Sequence, residues 1–331
     1  MQHSHFDELF QSFQQLKIGV IGDIMLDTYW WGKVDRISPE APVPVVSVTK
    51  KEMRIGGAGN VTLNIKALGA AVHAISIIGK DEEGKQLIDL MNQHQINTDY
   101  LIASATRQTT NKIRIISRNQ HMMRLDAEIT ASILPAEELE ILNGFRTYLE
   151  EVKPQLVILE DYNKGVLTPL VIKEIIRLCK LHHVLIAVDP KRKNFFEYQG
   201  VDIFKPNLQE AKEALNLILD DVQLETMKDI HQQLHEMLHH DISFITLSEK
   251  GVFYQQADSS RLIPTHIRSI ADVSGAGDTV IAVASVVYAA TKNVALMAEM
   301  ANIAGGLVCE EVGTVAINTN KFLQECKRLL L

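Results

Sequence analysis

Lys17-Ile-Gly-Val-Ile-Gly-Asp23 is a short apolar run closed by Gly-Asp, and its reading decides the fold. Continuous apolarity without alternation suits a strand buried on both faces. Asp23 and Asp27 then stand just past its C-terminal end, the edge where ligands gather in open α/β sheets. Working outward, the pattern repeats. A helix is predicted over 58–69, a strand over 72–78, a helix over 83–92 and a second buried strand over 155–160. Residues 168–180 read as helix, 184–188 and 202–204 as strands, 208–215 and 222–239 as helices, 243–247 as a strand and 319–330 as a last helix. This alternation predicts an α/β fold in which helices cover both faces of a mostly parallel central sheet. Two segments break it, Val43-Pro-Val-Val-Ser-Val-Thr49 and Thr109-Thr-Asn-Lys-Ile-Arg-Ile-Ile-Ser-Arg118. Both are β-branched with no helix attached, which predicts antiparallel strands outside the main sheet, a small β-sheet lid drawn from about 43–54 and 99–126. Any apolar face of that lid must be covered by the main body, by substrate or by the same sheet of another subunit.

Composition narrows the function classes. The 331 residues are 46% hydrophobic with a formal net charge of -8, a balance that argues against nucleic acid as the main partner. Cys179, Cys309 and Cys326 are odd in number, widely spaced and set in apolar surroundings, which suits free thiols in a reducing compartment. Residues 1–16 are polar, and no run of about 18 apolar residues occurs, so the expectation is a cytoplasmic protein without a membrane span. The whole of 1–331 reads as one domain with an appended lid.

Chemistry is concentrated in Asp272-Val-Ser-Gly-Ala-Gly-Asp278, followed by an apolar stretch free of Gly and Pro that predicts a buried helix from about Asp278. Helix N-terminal N–H groups stabilise anions, and Gly275 and Gly277 carry no side chain to hold a phosphate away. Asp278 is placed to take a proton from a hydroxyl attacking phosphorus. Gly56-Gly-Ala-Gly-Asn60 precedes another helix and lacks the third glycine of a dinucleotide fingerprint. Small residues there let a polyhydroxylated ligand lie against the backbone, with Asn60 offering a donor and an acceptor. Asn207 and Glu210 open a helix after a strand, where capping alone explains the spacing; a Glu acting through water also suits magnesium. Glu160-Asp161 and Asp189-Pro-Lys191 put further charges at the same edge.

Two motif matches point nowhere. Gly79-Lys-Asp-Glu-Glu-Gly-Lys85 has the glycine spacing of a phosphate loop, but Gln86 stands where a hydroxyl should bind magnesium. It reads as a strand-to-helix turn. His235-Glu-Met-Leu-His239 matches a zinc-protease pattern, yet Met227, Ile230, Leu234, Met237 and Leu238 mark the buried stripe of that helix and leave both histidines on its wet side.

Taken together, Gly56-Gly-Ala-Gly-Asn60, Gly79-x-Asp81-x-x-Gly84, Asn207-x-x-Glu210 and Asp272-x-x-Gly-Ala-Gly-Asp278 resemble the ribokinase-like, or phosphofructokinase B, family of sugar kinases over essentially the whole chain. The resemblance implies a three-layer sandwich, Asp278 as catalytic base, and Gly275, Ala276 and Gly277 as an anion hole. It further implies Asn207, Glu210, Ser248 and Gly251 at ATP and magnesium, with Glu210 acting through water, and Asp272 beside a monovalent cation such as K+. Gly22-Asp-Ile-Met-Leu-Asp27-x-Tyr-Trp30, Arg36-Ile-Ser-Pro-Glu-Ala-Pro-Val-Pro44, Arg124-Leu-Asp126, Asp161-Tyr-Asn-Lys-Gly165 and Thr246-Leu-Ser-Glu-Lys-Gly251 look like the bacterial heptose 7-phosphate kinases. That narrower likeness implies phosphorylation of O1 of D-glycero-β-D-manno-heptose 7-phosphate. Asp27, Gly57, Asn60, Arg124, Asp161 and Lys191 would then contact the sugar phosphate, with Arg114 and Arg118 as further candidates for its distal phosphate. A homodimer through the lid is also implied. Some relatives fuse this kinase to a nucleotidyltransferase; without a His-x-Gly-His motif, kinase activity alone is expected here.

Overall fold

The computed structural model describes residues 3–330 except Asn119, Asp220 and Ile267. In chain order, α1 is His3–Ser12, β1 Lys17–Gly22, β2 Ile24–Ile37, β3 Pro44–Gly57, α2 Ala58–Ala67, β4 Ala71–Gly79, α3 Glu82–Gln93 and β5 Asn97–Ser104. Strands β6 Thr110–Ser117 and β7 Gln120–Ala127 follow, then α4 Pro135–Val152, β8 Leu156–Glu160, α5 Pro169–Leu181, β9 Leu185–Asp189 and β10 Ile203–Phe204. The chain continues with α6 Leu208–Ala214, α7 Leu224–Leu238, β11 Ile242–Thr246, β12 Val252–Gln256, β13 Ser259–Ile263, α8 Ala276–Thr291, α9 Val294–Val308 and α10 Thr319–Leu329.

One sheet of nine strands runs β13-β12-β11-β10-β9-β8-β1-β4-β5 and is parallel from β11 to β5. Only β12 and β13 turn antiparallel at one edge. Alternate residues of the buried strands feed two separate cores. Leu156 and Ile158 of β8 pack with the cluster that includes α2, α8 and α9, whereas Val157 and Leu159 pack with that of α4, α5 and α7. The result is a helix–sheet–helix sandwich in three layers. Because β1 lies between β4 and β8, the chain winds one way through β4 and β5 and the other way from β8 onward. The switch point sits at the C-terminal ends of β1 and β8, where Gly22, Glu160 and Asp189 stand in register.

The second sheet has four strands in the order β3-β2-β6-β7 and corrects the predicted lid in three respects. Residues 99–104 belong to β5 and pair with β4 in the main sheet. Strand β2, not foreseen, lies at the centre of the lid and pairs with both β3 and β6. The β2–β6 pair is parallel, because the chain passes through α2, β4, α3 and β5 before returning. Alternation in β2 gives the lid two unlike faces. Asp27 and Tyr29 stand across from Arg54 and Glu52 on β3 and from Lys112 and Arg114 on β6, which in turn face Asp126 and Arg124 on β7. The opposite face carries Met53, Trp30, Ile113, Ile115, Met123 and Leu125 in the same register.

Both unproductive motifs are structural. Asp81 caps α3 through the Gly84 N–H at 2.8 Å and accepts the Thr109 hydroxyl at 2.7 Å, tying the turn to the lid base. His235 and His239 are exposed, and Met237, expected inside, is 47% exposed. Inside α7 lies His231 instead, sharing the Ser243 hydroxyl with buried His240 at 2.8 and 2.6 Å.

Candidate active site

Helix α8 begins at Ala276, two residues ahead of the expected start, with Gly275 before it at φ 76°. Its apolar body is buried, which fixes its first turn against the strand ends. Asp278 in that turn is only 3% exposed. Its Oδ1 accepts the Tyr162 hydroxyl at 2.6 Å and its Oδ2 the Asn60 amide at 2.8 Å. Asn60 comes from the first turn of α2, so the two glycine-rich segments meet here. A Cβ on Gly275 would lie 2.6 Å from Asn60 Nδ2, and one on Gly57, at φ 59°, would lie 2.4 Å from the Asp23 carbonyl. Those glycines make room for protein contacts around the carboxylate. Burial drives the Asp278 carboxyl up to about 6 and nearby Asp189 adds to it, while the Tyr162 and Asn60 hydrogen bonds and the charge of Lys205 hold it down.

Next to it stands a fixed-charge cluster. Lys205, 3% exposed at its side chain, reaches Asp189 Oδ2 at 2.6 Å. Lys191 spans Asp189 Oδ1 at 3.3 Å and Glu210 Oε1 at 2.5 Å. Burial pushes Asp189 up, but the two ammonium groups outweigh it and hold its carboxyl below the usual range. Asn207 and Glu210 form the capping box of α6, with reciprocal bonds of 2.8 Å. Glu160 is fully buried, and neither of its carboxyl oxygens has a hydrogen-bond partner among the described residues.

A cavity of about 1130 Å³ opens beside these groups. Gly275, Ala276, Gly277 and Asp278 form one wall, and Asn207, Lys191, Ser248 and Gly251 line it as well. The Ala276 N–H is directed to the Val273 carbonyl at 3.3 Å, so the expected three-residue anion hole is narrowed at that position.

Four expected assignments change. Asp161 is turned beneath its loop, where its carboxylate accepts Asn163 N–H, Asn194 Nδ2 and the Tyr198 hydroxyl, because β8 ends by burying that side chain. Lys191, expected at the distal sugar phosphate, lines the cavity and pairs with Glu210. Arg124 is 59% exposed and forks onto Asp126 of its own strand. Arg118 is exposed beyond the far end of β6. Asp27 is buried, with Oδ1 on Arg114 Nη1 at 2.5 Å and Oδ2 on the Thr314 hydroxyl at 3.3 Å. Asp272 braces its loop, accepting the N–H groups of Ser274 at 3.0 Å and Gly313 at 2.9 Å. Tyr162, quoted above only as part of Asp161–Gly165, and Lys205 both stand against the central carboxylates, and only the strand order brings them there.

The profile of the pfkB family of carbohydrate kinases matches residues 15–321. The chain belongs to that family. With it comes the family's class of chemistry, phosphoryl transfer to a sugar hydroxyl. Among curated proteins the chain is similar to the bifunctional protein HldE of Geobacter sulfurreducens, 36% identical over 319 residues that cover 96% of this chain and 64% of that protein. HldE of Helicobacter pylori is 38% identical over 298 residues, covering 90% of this chain and 64% of that protein. The chain thus spans less than two thirds of these relatives. Its fold is that of Escherichia coli phosphofructokinase-2 solved in complex with potassium, at TM-score 0.77 and 16% identity over 95% of this chain and all of that one. Arabidopsis thaliana ribokinase complexed with ribose and ATP superposes at TM-score 0.73 and 16% identity, over 93% of this chain and 99% of that one. Among the described residues, no helix is long and apolar enough to cross a membrane.

Proposed function

We propose that the chain is an ATP-dependent kinase that phosphorylates O1 of D-glycero-β-D-manno-heptose 7-phosphate, giving the 1,7-bisphosphate for ADP-heptose and lipopolysaccharide core synthesis in the cytoplasm. The observation that carries the reading is Asp278, buried at the mouth of α8 beside a nucleotide-sized cavity, with its carboxyl pushed up to about 6. A carboxylate of that acidity is ionised at neutral pH and basic enough to take a proton from a sugar hydroxyl as its oxygen attacks phosphorus. The first-turn N–H groups of α8 and the Lys191 and Lys205 ammonium groups then counter the charge that develops on the transferred phosphoryl. Those two lysines are themselves met by Asp189 and Glu210. Among the described residues no three potential metal ligands stand together, so magnesium would rest chiefly on the phosphates, with Glu210 acting through water, and would neutralise their charge. Asn207, Ser248 and Gly251 are the proposed nucleotide contacts.

On the sugar side, Asp27, Gly57 and Asn60 are the proposed contacts, beneath the charged lid face. Lys112 and Arg114 on that face offer the cations for the distal phosphate, Arg114 being half-buried and oriented by Asp27. Support for the heptose substrate comes from the Arg36–Pro44 stretch and from the HldE relatives. The opposite lid face, where Met53, Met123 and Leu125 are exposed, supports a homodimer through the lid. Sedimentation of a Met123→Glu, Leu125→Glu variant as a monomer is the expected outcome; an unchanged dimer would remove that interface. Asp272 is the residue proposed to stand near a monovalent cation, and exchange of potassium for tetramethylammonium is expected to lower kcat.

The deciding experiment replaces Asp278 with Asn. Turnover is expected to fall by about 10³-fold or more while ATP still binds; full activity would sink the base. A panel of heptose 7-phosphate, fructose phosphate and ribose separates the substrates, and preference for either of the last two would overturn the heptose reading.

A further inference from the structure

The loop that follows β8 is pinned from two sides. Asp23, at the end of β1, accepts the N–H groups of Tyr162 at 2.9 Å, Lys164 at 2.9 Å and Val166 at 3.1 Å. Beneath it Asp161 accepts the Asn163 N–H at 2.7 Å and the Tyr198 hydroxyl at 2.7 Å. One side chain of this fixed loop projects into the cavity: Tyr162, whose hydroxyl lies 2.6 Å from Asp278 Oδ1. The Lys191 ammonium sits 5.7 Å from the centroid of its ring. Asn60 holds the other carboxylate oxygen at 2.8 Å from the opposite side. The carboxylate is therefore clamped between a phenol and an amide carried by two different layers of the fold, one donor on each oxygen.

We infer that Tyr162 is a positioning residue for Asp278: its O–H, donated to Oδ1, keeps the buried carboxylate ionised and in one orientation, so that a free lone pair meets the acceptor hydroxyl. The inference rests on the reading of Asp278 as the base. A carboxylate away from water is disfavoured as an anion, and every hydrogen bond donated to it shifts the balance back, by about one pH unit per good donor. The phenol itself stays protonated, since burial and the Asp278 charge both push it well above its ordinary range. It gives a hydrogen bond and transfers no proton, so the substrate proton ends on Asp278. A tyrosine that only filled space would leave the acidity of Asp278 where it is.

The test compares the full chain with Tyr162→Phe, following the carboxyl carbon of Asp278 by NMR in substrate-free protein, with Asp278→Asn to assign the resonance. The titration midpoint is expected to rise from about 6 to about 7, and the acid limb of kcat to move with it. At pH 6 the variant loses about 5-fold in kcat and recovers it above pH 8, with the KM for ATP unchanged. If the phenylalanine variant lacks a cooperative melting transition, 3-fluorotyrosine placed at 162 replaces it; a stronger donor should move the midpoint below that of the unmodified protein. An unmoved midpoint in either variant, with Asp278→Asn inactive, overturns the role of Tyr162 and leaves the base standing. Full activity of Asp278→Asn removes both.

Discussion

Asp189 and Asp278 are buried to the same degree, 4% and 3% exposed, in one cleft, yet their acidities move in opposite directions. Asp189 meets two ammonium groups, at 2.6 and 3.3 Å, and full charges overcome its desolvation. Asp278 meets a phenol and an amide, neutral dipoles that only moderate it. Burial therefore sets the size of the stake, and the charge of the partner sets its sign. The difference divides the cleft into a half of permanent charge, at the ends of β9 and β10, and a titratable half at the mouth of α8. Phosphoryl transfer needs both: fixed charge to hold phosphates, and a group able to change protonation to accept the hydroxyl proton.

The strongest way to break the comparison is to take the charge from the first half. Lys205→Met leaves Asp189 buried with Lys191 alone, and a loss of about 3 kcal/mol in unfolding free energy by urea titration is expected. The same rule applies to cations with the sign reversed. His231 and His240 have a neutral partner, Ser243, and burial, reinforced by the neighbouring imidazoles, lowers them to about 4 and 3. As pH falls below 6.5 the unfolded chain takes up those protons first, so stability is lost from pH 6.5 downward. Between pH 6.5 and 5, His240→Gln should flatten the decline in stability by about 2 kcal/mol relative to the parent chain. Asp278 acts oppositely on stability, its carboxyl, pushed up in the folded form, favouring that form as pH falls; on activity it sets an acid limb. With the base half-ionised at about pH 6, kcat should drop about 5-fold from pH 6 to pH 5. A flat profile through that range would remove the titratable half of the cleft.

How much of this was legible depended on how local each signal is. The ends of β1 and β8, the capping pair Asn207 and Glu210, and the glycine turn before α8 lie within a few residues, and each was readable from the chain. Helix α4, outside the elements predicted above, is equally local, with Pro135 at its first position and Glu137 Oε2 accepting the Leu134 N–H. Strand β2 is weakly marked, because Asp27, Tyr29 and Trp31 alternate against Thr28 and Trp30 with aromatic rings on both faces. The surroundings of Lys191 and Asp161 are hidden for a different reason. Which strand end they face depends on the order β10-β9-β8-β1, a long-range property that no window of sequence contains. Tyr162 stands inside the Asp161–Gly165 motif, but its contact is not legible there, because the carboxylate it touches lies 116 residues away.

The smallest effect gives the sharpest test of the rule, and it concerns Glu160. Its neighbours along the strand ends are Gly22 and Asp189, and it is fully buried. Burial, then the charges of Asp189 and Asp278, all push its carboxyl well above the ordinary range. With no ammonium in hydrogen-bonding contact, unlike Asp189, it should be held as the neutral acid at pH 7. Glu160→Gln then exchanges one uncharged group for another of nearly the same shape, and unfolding free energy should change by less than about 1 kcal/mol. The acid limb of kcat is the second readout. If Glu160 were an anion, removing its charge would ease ionisation of Asp278 and carry the limb below 6; for a neutral Glu160 the limb stays in place. A downward shift would mean that Lys191 and Lys205 share their charge with Glu160, and that the fixed half of the cleft extends one strand further than the hydrogen bonds of Asp189 indicate.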